Sequence, residues 1–131
     1  MNKYIEVKVI SLQKGRGTFA KIDIKRGTSI NIGNVVLISN KDYDKIKDTI
    51  LYDYTFEWED PEINGEYTTA IALDICQFIN HSYNPNLKNI YDYKNRTVEY
   101  VAVRNILKGE ELVINYNGKV NDKTPVWFDV L

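Results

Sequence analysis

The segment FINHSYNPN, residues 78–86, brings many hydrogen-bonding side chains together. It contains His81, the only histidine of the 131-residue chain, beside three asparagines, a serine and a tyrosine. Its polar part follows directly on the apolar run IALDICQFI, and polar groups beside buried surface cost free energy unless they find partners. The segment is therefore either a surface turn with a structural histidine or the lining of a site.

Two further segments carry weaker signals. In GRGTFA, residues 15–20, two glycines flank one residue, which lets a backbone approach a ligand or adopt positive φ, although a tight turn is the simpler interpretation. In GEELVINY, residues 109–116, Glu110 and Glu111 are expected to be solvated charges after a turn. Tyr116 is expected to be an aromatic at the edge of the core whose hydroxyl finds a partner.

The order and spacing of the three segments resemble the SET-domain family of protein lysine methyltransferases. Members of that family show G-x-G near the start, a later F/Y-x-N-H-S-x-x-P-N, and E-E-[LIV]-x-x-x-Y near the end. The resemblance covers the chain from about residue 3 to residue 118. The chain departs from the family pattern at Asn115, where Asp, Ser or Ala is frequent. It also lacks the zinc-binding cysteine clusters that flank many histone-directed members.

The resemblance implies a mainly β (α+β) fold of several small sheets with one short helix. In that fold the N-H-S segment and the last strand form a C-terminal pseudoknot, and Pro85 sets the geometry of the turn. We expect residues 1–131 to form a single SET domain with a core at about 3–118. The tail, residues 117–131, is expected to pack over the channel for the cofactor and the lysine.

The implied cofactor is S-adenosylmethionine, and no metal is expected. By resemblance, the backbone of Gly15, Arg16 and Gly17 approaches the amino-acid end of the cofactor, and Asn80 and His81 contact it from the other side. Tyr116 and Trp127 complete the expected cofactor-binding set. Trp127 either stacks on the adenine or simply anchors the C-terminus to the core.

The implied reaction is transfer of a methyl group to the side-chain amine of a protein lysine. Tyr116 matches the catalytic tyrosine of the family, and Tyr54 matches a further active-site tyrosine, with Tyr52 as its rival. Tyr83 either lines the channel or covers the knot. A lysine amine must lose its proton before it attacks, since its ordinary pKa is about 10.4. An apolar channel would lower that pKa.

Composition limits the other classes of function. Seventeen basic and eighteen acidic residues give a net charge of −1, which argues against binding nucleic acid by bulk charge. Cys76 is the only cysteine, so neither an intramolecular disulfide nor a cysteine-based zinc cluster can form. Neither a signal peptide nor a membrane span is predicted. A cytoplasmic protein is expected, and action in a host cell stays open.

The expected elements are mostly short strands. Strands are predicted at residues 3–10, in TFAKI, at residues 35–39, and in YDYTFEW, YTTAIAL, NIYDY, TVEYVAV and ELVINY. QKGRG is predicted to be a turn. A helix is predicted in KDYDKIKDTIL with Asn40 as its cap.

Two competing functions stay open at this point. One is a catalytically silent SET-fold module that recognises a lysine-bearing protein. The other is a small nucleic-acid-binding β protein that uses aromatic side chains such as Tyr91, Tyr93 and Tyr100 as stacking platforms. For the methyltransferase and for the silent module alike, the expected partner is a protein that bears a lysine. The domain surface at residues 52–69 is one expected recognition region. Self-association into a homo-oligomer is also open.

Overall fold

The chain folds mainly into short strands. The structure, a computed structural model, describes residues 2–117 and 121–126. The one α-helix in this part is α1, Asn40–Ile46, and two 3₁₀ helices cover Ile50–Tyr54 and Ile75–Phe78. The strands are β1 (Ile5–Ser11), β2 (Gly15–Ala20), β3 (Ser29–Ser39), β4 (Phe56–Glu57), β5 (Tyr67–Ala72), β6 (Asn80–His81), β7 (Leu87–Asp92), β8 (Thr97–Ala102) and β9 (Glu111–Ile114). The expected mainly β fold class is confirmed.

The strands form two sheets. The first has the order β1-β2-β9-β6 and the second the order β4-β5-β3-β8-β7. In the first sheet β2 pairs antiparallel with both β1 and β9. The short strand β6 instead pairs parallel with β9, with Asn80 opposite Val113 and His81 opposite Ile114. The N-H-S segment therefore pairs with the end of β9, the last strand in the described part of the chain.

The chain divides into two compact units. Within the described residues, the first unit comprises residues 2–32, 78–90, 99–117 and 121–126. The second comprises Gly33–Gln77 and Tyr91–Val98. All three candidate segments lie in the first unit, whereas Tyr52 and Tyr54 lie in the second. That the whole chain forms one domain stays a prediction.

Each unit buries its own apolar side chains. Ile5, Leu87, Ile106 and Leu112 are at most 2% exposed in the first unit. The core of the second unit contains Trp58, Val35, Ala70, Ala72, Cys76 and Val98. Fully burying a side chain of this size stabilises the fold by roughly 1.5–3 kcal/mol, so strands this short are held by packing and not by their own length.

Three predicted elements, a helix, a strand and a turn, are wrong in detail. The predicted helix is shorter, because α1 ends at Ile46, and its N-cap is Ser39 and not Asn40. The Ser39 hydroxyl accepts a hydrogen bond from the Asp42 amide at 3.1 Å, which satisfies one of the free donors of the first turn. The Asn40 side chain instead accepts from the Thr68 hydroxyl at 2.9 Å.

The predicted strand YDYTFEW exists only at Phe56–Glu57, because the preceding residues form the 3₁₀ helix Ile50–Tyr54. Thr49 caps that helix by accepting from the Leu51 amide at 3.2 Å. Local bonds of this kind divert the backbone from strand pairing. The predicted turn QKGRG is also wrong in part, because its last three residues begin β2.

Candidate active site

The parallel pair β6–β9 is the centre of the candidate site. Beyond the strand pair itself, the Ser82 amide donates to the Ile114 carbonyl at 2.8 Å. The Tyr116 amide donates to Nδ1 of His81 at 2.9 Å. The His81 side chain thus takes the place of a backbone acceptor just after the end of β9. The same bond fixes the backbone of Tyr116, the candidate catalytic residue.

The Asn86 side chain extends the hydrogen bonding along the same edge of β9. Its side chain is 1% exposed; its Nδ2 donates to the Glu111 carbonyl at 2.8 Å and its Oδ1 accepts from the Val113 amide at 2.9 Å. One amide side chain therefore satisfies two backbone groups of β9, as a neighbouring strand would. Pro85, which is buried beside it, fixes φ just before this residue.

Asn80 connects the second and the third candidate segments to the first. Its Nδ2 donates to the Arg16 carbonyl at 3.0 Å and to Oε2 of Glu111 at 2.8 Å. The other carboxylate oxygen of Glu111 pairs with the Lys14 ammonium at 3.1 Å. An amide nitrogen has two hydrogens, so both donors of Asn80 are used, which fixes the side chain between β2 and β9.

The glycines of GRGTFA allow this close approach. A Cβ on Gly17 would lie 2.9 Å from Oε2 of Glu111 and 3.3 Å from Nδ2 of Asn80, so only glycine leaves these groups in place. Gly15 has a φ of 76°, a left-handed conformation that side chains disfavour. The guanidinium of Arg16 lies over the Phe78 ring, 5.5 Å from its centroid.

The expectation that both glutamates are solvated charges is wrong for Glu111. Its side chain is 20% exposed and lies in the Lys14–Asn80 network. Glu110 keeps the more exposed role: it pairs with Arg104 at 3.3 Å and accepts from the Leu107 amide in the turn. The difference follows from position, because Glu111 is the first residue of β9 whereas Glu110 precedes the strand and lies in the turn.

His81 is held as a neutral imidazole. Its side chain is 5% exposed, and it meets the rings of Tyr83 and Tyr116 at centroid distances of 4.4 Å and 5.2 Å. Because Nδ1 accepts from a backbone amide, that nitrogen carries no proton. Burial lowers the pKa of His81 below its ordinary value of 6.5, since a buried site disfavours the charged ring.

Tyr116 is fixed at two points. Besides the bond from its amide to His81, its hydroxyl donates to the Ile79 carbonyl at 2.7 Å. The side chain is 37% exposed, so it is anchored and still accessible. Before it, Asn115 is 3% exposed and its Nδ2 donates to the Asp122 carbonyl at 2.5 Å. This bond gives the unusual asparagine a structural role.

Tyr83 connects the motif to the segment at residues 121–126. Its hydroxyl donates to the Thr124 carbonyl and accepts from the Val126 amide, both at 3.2 Å. The Lys123 ammonium donates to the Tyr83 carbonyl at 2.7 Å. Of the two roles expected for Tyr83, these contacts favour that of a cover. Trp127, one residue further on, lies outside the described residues.

The two tyrosines of the second unit differ in their surroundings. Tyr52 is 37% exposed and its ring meets that of Tyr43 edge-on at 6.4 Å. Tyr54 is half-buried, and its carbonyl accepts from Nε2 of Gln77 at 2.5 Å. The backbone of Tyr54 is therefore tied to the residue that precedes FINHS in the chain. Its place at the reaction centre stays a prediction.

Neither a metal cluster nor a membrane span is found in the part of the chain that the structure describes. Across residues 2–117 and 121–126, no three His, Cys, Asp or Glu side chains lie close enough to hold a metal ion. In the same residues no helix is both long and apolar enough to cross a bilayer.

Replacing Asn86 with alanine should destabilise the protein by about 2–4 kcal/mol, because one buried carbonyl and one buried amide of β9 lose their partner. The change is measured by urea denaturation. The matched control is Asn84→Ala, a change of the same type at an exposed position two residues away. Equal stabilities of the two variants would contradict the role of Asn86.

Lowering the pH should destabilise the protein through His81. The folded pKa is below 6.5, so the unfolded chain binds the proton first, and stability falls as the pH drops from above 6.5 towards the folded pKa. Above 6.5 this contribution is constant. The single imidazole can be titrated by NMR while unfolding is measured at pH values on both sides of 6.5. In a His81→Gln variant the free energy of unfolding should depend less on pH in this range. An unchanged pH dependence would assign the effect to other groups.

Comparison with known proteins places this geometry in a family. The family model of the SET domain matches residues 15–117. The chain is 31% identical over 118 residues to the fission yeast (Schizosaccharomyces pombe) histone-lysine N-methyltransferase specific for H3 lysine 37, a match that covers 89% of this chain and 72% of the relative.

Solved structures are similar to this chain as well. A candidate histone methyltransferase from Plasmodium falciparum superimposes with a TM-score of 0.65 at 28% identity, over 88% of this chain and 95% of that one. A humanized mutant of the Chaetomium thermophilum Polycomb Repressive Complex 2 gives a TM-score of 0.71 at 22% identity and shares the fold alone, over 88% of this chain and 15% of that one. The match of the family model over most of the chain shows that the chain belongs to the SET-domain family.

Proposed function

We propose that this protein transfers a methyl group from S-adenosylmethionine to the side-chain amine of a protein lysine. The observation that carries the proposal is the double anchoring of Tyr116, by His81 at its amide and by Ile79 at its hydroxyl. The activity named for the fission yeast relative, which is 31% identical over most of this chain, supports the same reaction.

The residues of the first unit suit the amino-acid end of the proposed cofactor. S-adenosylmethionine supplies an electrophilic methyl group on a positively charged sulfur. Its amino-acid part is zwitterionic and needs both acceptors and cations. The Lys14–Glu111 ion pair and the Asn80 amide offer both kinds of group around Gly17. We assign cofactor binding to Gly15, Arg16, Gly17, Asn80, His81, Tyr116 and Trp127.

Tyr116 is best described as an orienting residue. Its hydroxyl proton is directed at the Ile79 carbonyl, so the oxygen presents lone pairs and not its proton to a reacting group. Such an oxygen can align an amine or favour a positively charged methyl donor without acting as a strong base. Correct alignment of two reactants can supply several kcal/mol, of the roughly 7–11 kcal/mol that ideal orientation offers.

The remaining assignments follow from the family. We propose that Tyr54 is the second active-site tyrosine and that Trp127 closes the channel over the adenine. We also propose that β6 and β9 form the pseudoknot of the SET fold, which the parallel pairing and the Asn86 bonds support. The tail at residues 117–131 would then cover the site, as the Tyr83–Thr124 contact supports.

The proposed substrate class is a lysine-bearing protein, and the proposed location is the cytoplasm. The relative's name specifies a histone lysine, so histone H3 is the first substrate to test. The net charge of −1 offers little long-range attraction for a very basic tail. Selection of the substrate would therefore rely on short-range contacts.

Asn80→Ala should weaken cofactor binding by roughly 1–3 kcal/mol, because the Arg16 carbonyl and the Glu111 carboxylate lose their shared donor. Calorimetric titration with S-adenosylmethionine measures the change, with Asn84→Ala as the control and circular dichroism to verify folding. One-site binding that only the Asn80 variant loses supports the pocket. Unchanged affinity in that variant would remove Asn80 from the site.

Tyr116→Phe should lower methyl transfer by roughly 100-fold, the cost of a small misplacement of reacting groups, while cofactor affinity stays close to that of the wild type. Transfer to histone H3 and to a panel of lysine-containing proteins is measured with labelled cofactor. Tyr43→Phe removes the same atom from a tyrosine in α1 and is the matched control. Undiminished transfer would reject the role of Tyr116, and cofactor binding without any transfer by the wild type would favour a silent module.

A further inference from the structure

The Gln77 side chain connects two backbone groups of the second unit. Its Oε1 accepts from the Ala72 amide at 3.1 Å, and its Nε2 donates to the Tyr54 carbonyl at 2.5 Å. Ala72 is the last residue of β5 and is 0% exposed. Tyr54 is the last residue of the 3₁₀ helix Ile50–Tyr54. The oxygen and the nitrogen of one half-buried carboxamide therefore hold the end of a strand and the end of a helix together.

The register of β4 and β5 shows what this carboxamide replaces. Phe56 lies opposite Ala70, so continued antiparallel pairing would place Tyr54 opposite Ala72. On the other side of the Phe56 pair, the Trp58 amide donates to a carbonyl of β5 at 3.0 Å. Hydrogen-bonded pairs occur at every second position of an antiparallel ladder. In a regular ladder the Ala72 amide would therefore donate directly to the Tyr54 carbonyl.

The Gln77 carboxamide is inserted at this position of the ladder. It accepts the bond from Ala72 and donates a second one to Tyr54, so both backbone groups stay satisfied. The Tyr54 carbonyl is held one carboxamide further from β5 than direct pairing would hold it. Strand β4 accordingly begins only at Phe56, and Tyr54 remains in the preceding helix.

Gln77 itself extends from a well-fixed turn. It belongs to the 3₁₀ helix Ile75–Phe78, and its amide donates to the Asp74 carbonyl at 3.1 Å. The Asp74 carboxylate accepts from the Cys76 amide at 2.8 Å. A Cβ on Gly33 would overlap this carboxylate, so Asp74 packs directly on the backbone of β3. The start of the Gln77 side chain is therefore fixed against the sheet.

Local bonds close the other side of Tyr54. The amide and the hydroxyl of Thr55 both donate to the Tyr52 carbonyl, at 3.1 Å and 2.8 Å. These bonds shape the turn but do not reach the sheet. The Gln77 carboxamide connects the turn to β5 and so determines where its last residue lies.

We propose that Gln77 is a positioning residue of the methyl transfer and that its inserted carboxamide sets the place of Tyr54. The inference rests on the proposed function, in which Tyr54 is the second active-site tyrosine. A side chain that aligns reacting groups must be held within about half an ångström. Gln77 supplies that constraint at the backbone of Tyr54, and it acts through this tyrosine without being a catalytic residue.

Gln77→Glu tests the proposal, because the carboxylate can still accept from Ala72 but repels the Tyr54 carbonyl. The kcat for methylation of the protein lysine should fall by roughly tenfold or more, the cost of misplaced reacting groups, while the Kd for S-adenosylmethionine stays that of the wild type. In a Tyr54→Phe background the same change should lower kcat much less, since both changes act through one side chain. Asn64→Asp, the same exchange of amide for carboxylate at an exposed position of this unit, is the matched control.

NMR of protein with isotope-labelled tyrosine reports on Tyr54 without any turnover. The Tyr54 ring signal is the one that Tyr54→Phe removes. Gln77→Glu should shift this signal, and Asn64→Asp should leave it in place. Circular dichroism verifies folding. If Gln77→Glu does not fold, Gln77→Met, which removes the donor without adding a charge, replaces it in every measurement.

An unmoved Tyr54 signal in a folded Gln77 variant would overturn the proposal whatever the activity. An unchanged kcat would also overturn it, as would equal losses of kcat with and without the Tyr54 hydroxyl, because the bond would then be structural only. A wild type that methylates no tested protein, combined with the expected shift, would instead refute the proposed function. The catalytic part of this inference would fail with it, whereas the shift would confirm the contact between Gln77 and Tyr54.

Discussion

The hydrogen bonds of strand β9 are the constraint on which the candidate site depends. The strand lies between β2 and β6, but β6 has only two residues, too few to satisfy that whole edge. Buried backbone groups without partners are costly. The Asn86 side chain supplies a donor to Glu111 and an acceptor to Val113 at the start of β9. The His81 side chain supplies an acceptor to the Tyr116 amide after β9 ends. Side chains thus complete what backbone pairing begins.

This solution links stability to the proposed chemistry. The bond from the Tyr116 amide to His81 completes the backbone bonding after the end of β9 and also fixes the tyrosine. The bond from its hydroxyl to Ile79 fixes the ring from the same segment. A site held by such bonds is preorganised, and preorganised groups lower the barrier by aligning the reactants. The polar character of FINHSYNPN then has one cause: its side chains replace strand neighbours.

The motifs of the sequence indicate the family, and the structure shows why other features are harder to predict. Gly17 is recognisable because a close approach admits no Cβ, and Tyr116 because it ends an apolar strand. Glu111 is not recognisable, because its partners Lys14 and Asn80 lie far from it in sequence. The cap at Ser39 was equally ambiguous, since serine and asparagine are both good caps and Asn40 finds a partner in Thr68 instead.

The charges around Gly17 argue that the proposed cofactor would exchange ion-pair partners when it binds. Lys14 and Glu111 already form an ion pair that is partly shielded from water. A zwitterionic ligand that engages either group must compete with this pair, so the gain is the difference between two sets of contacts. Such a site keeps its structure without the ligand, because Lys14 and Glu111 neutralise each other. Its affinity would then depend more on the fit around Gly17 than on net attraction, in keeping with a chain whose charges nearly cancel.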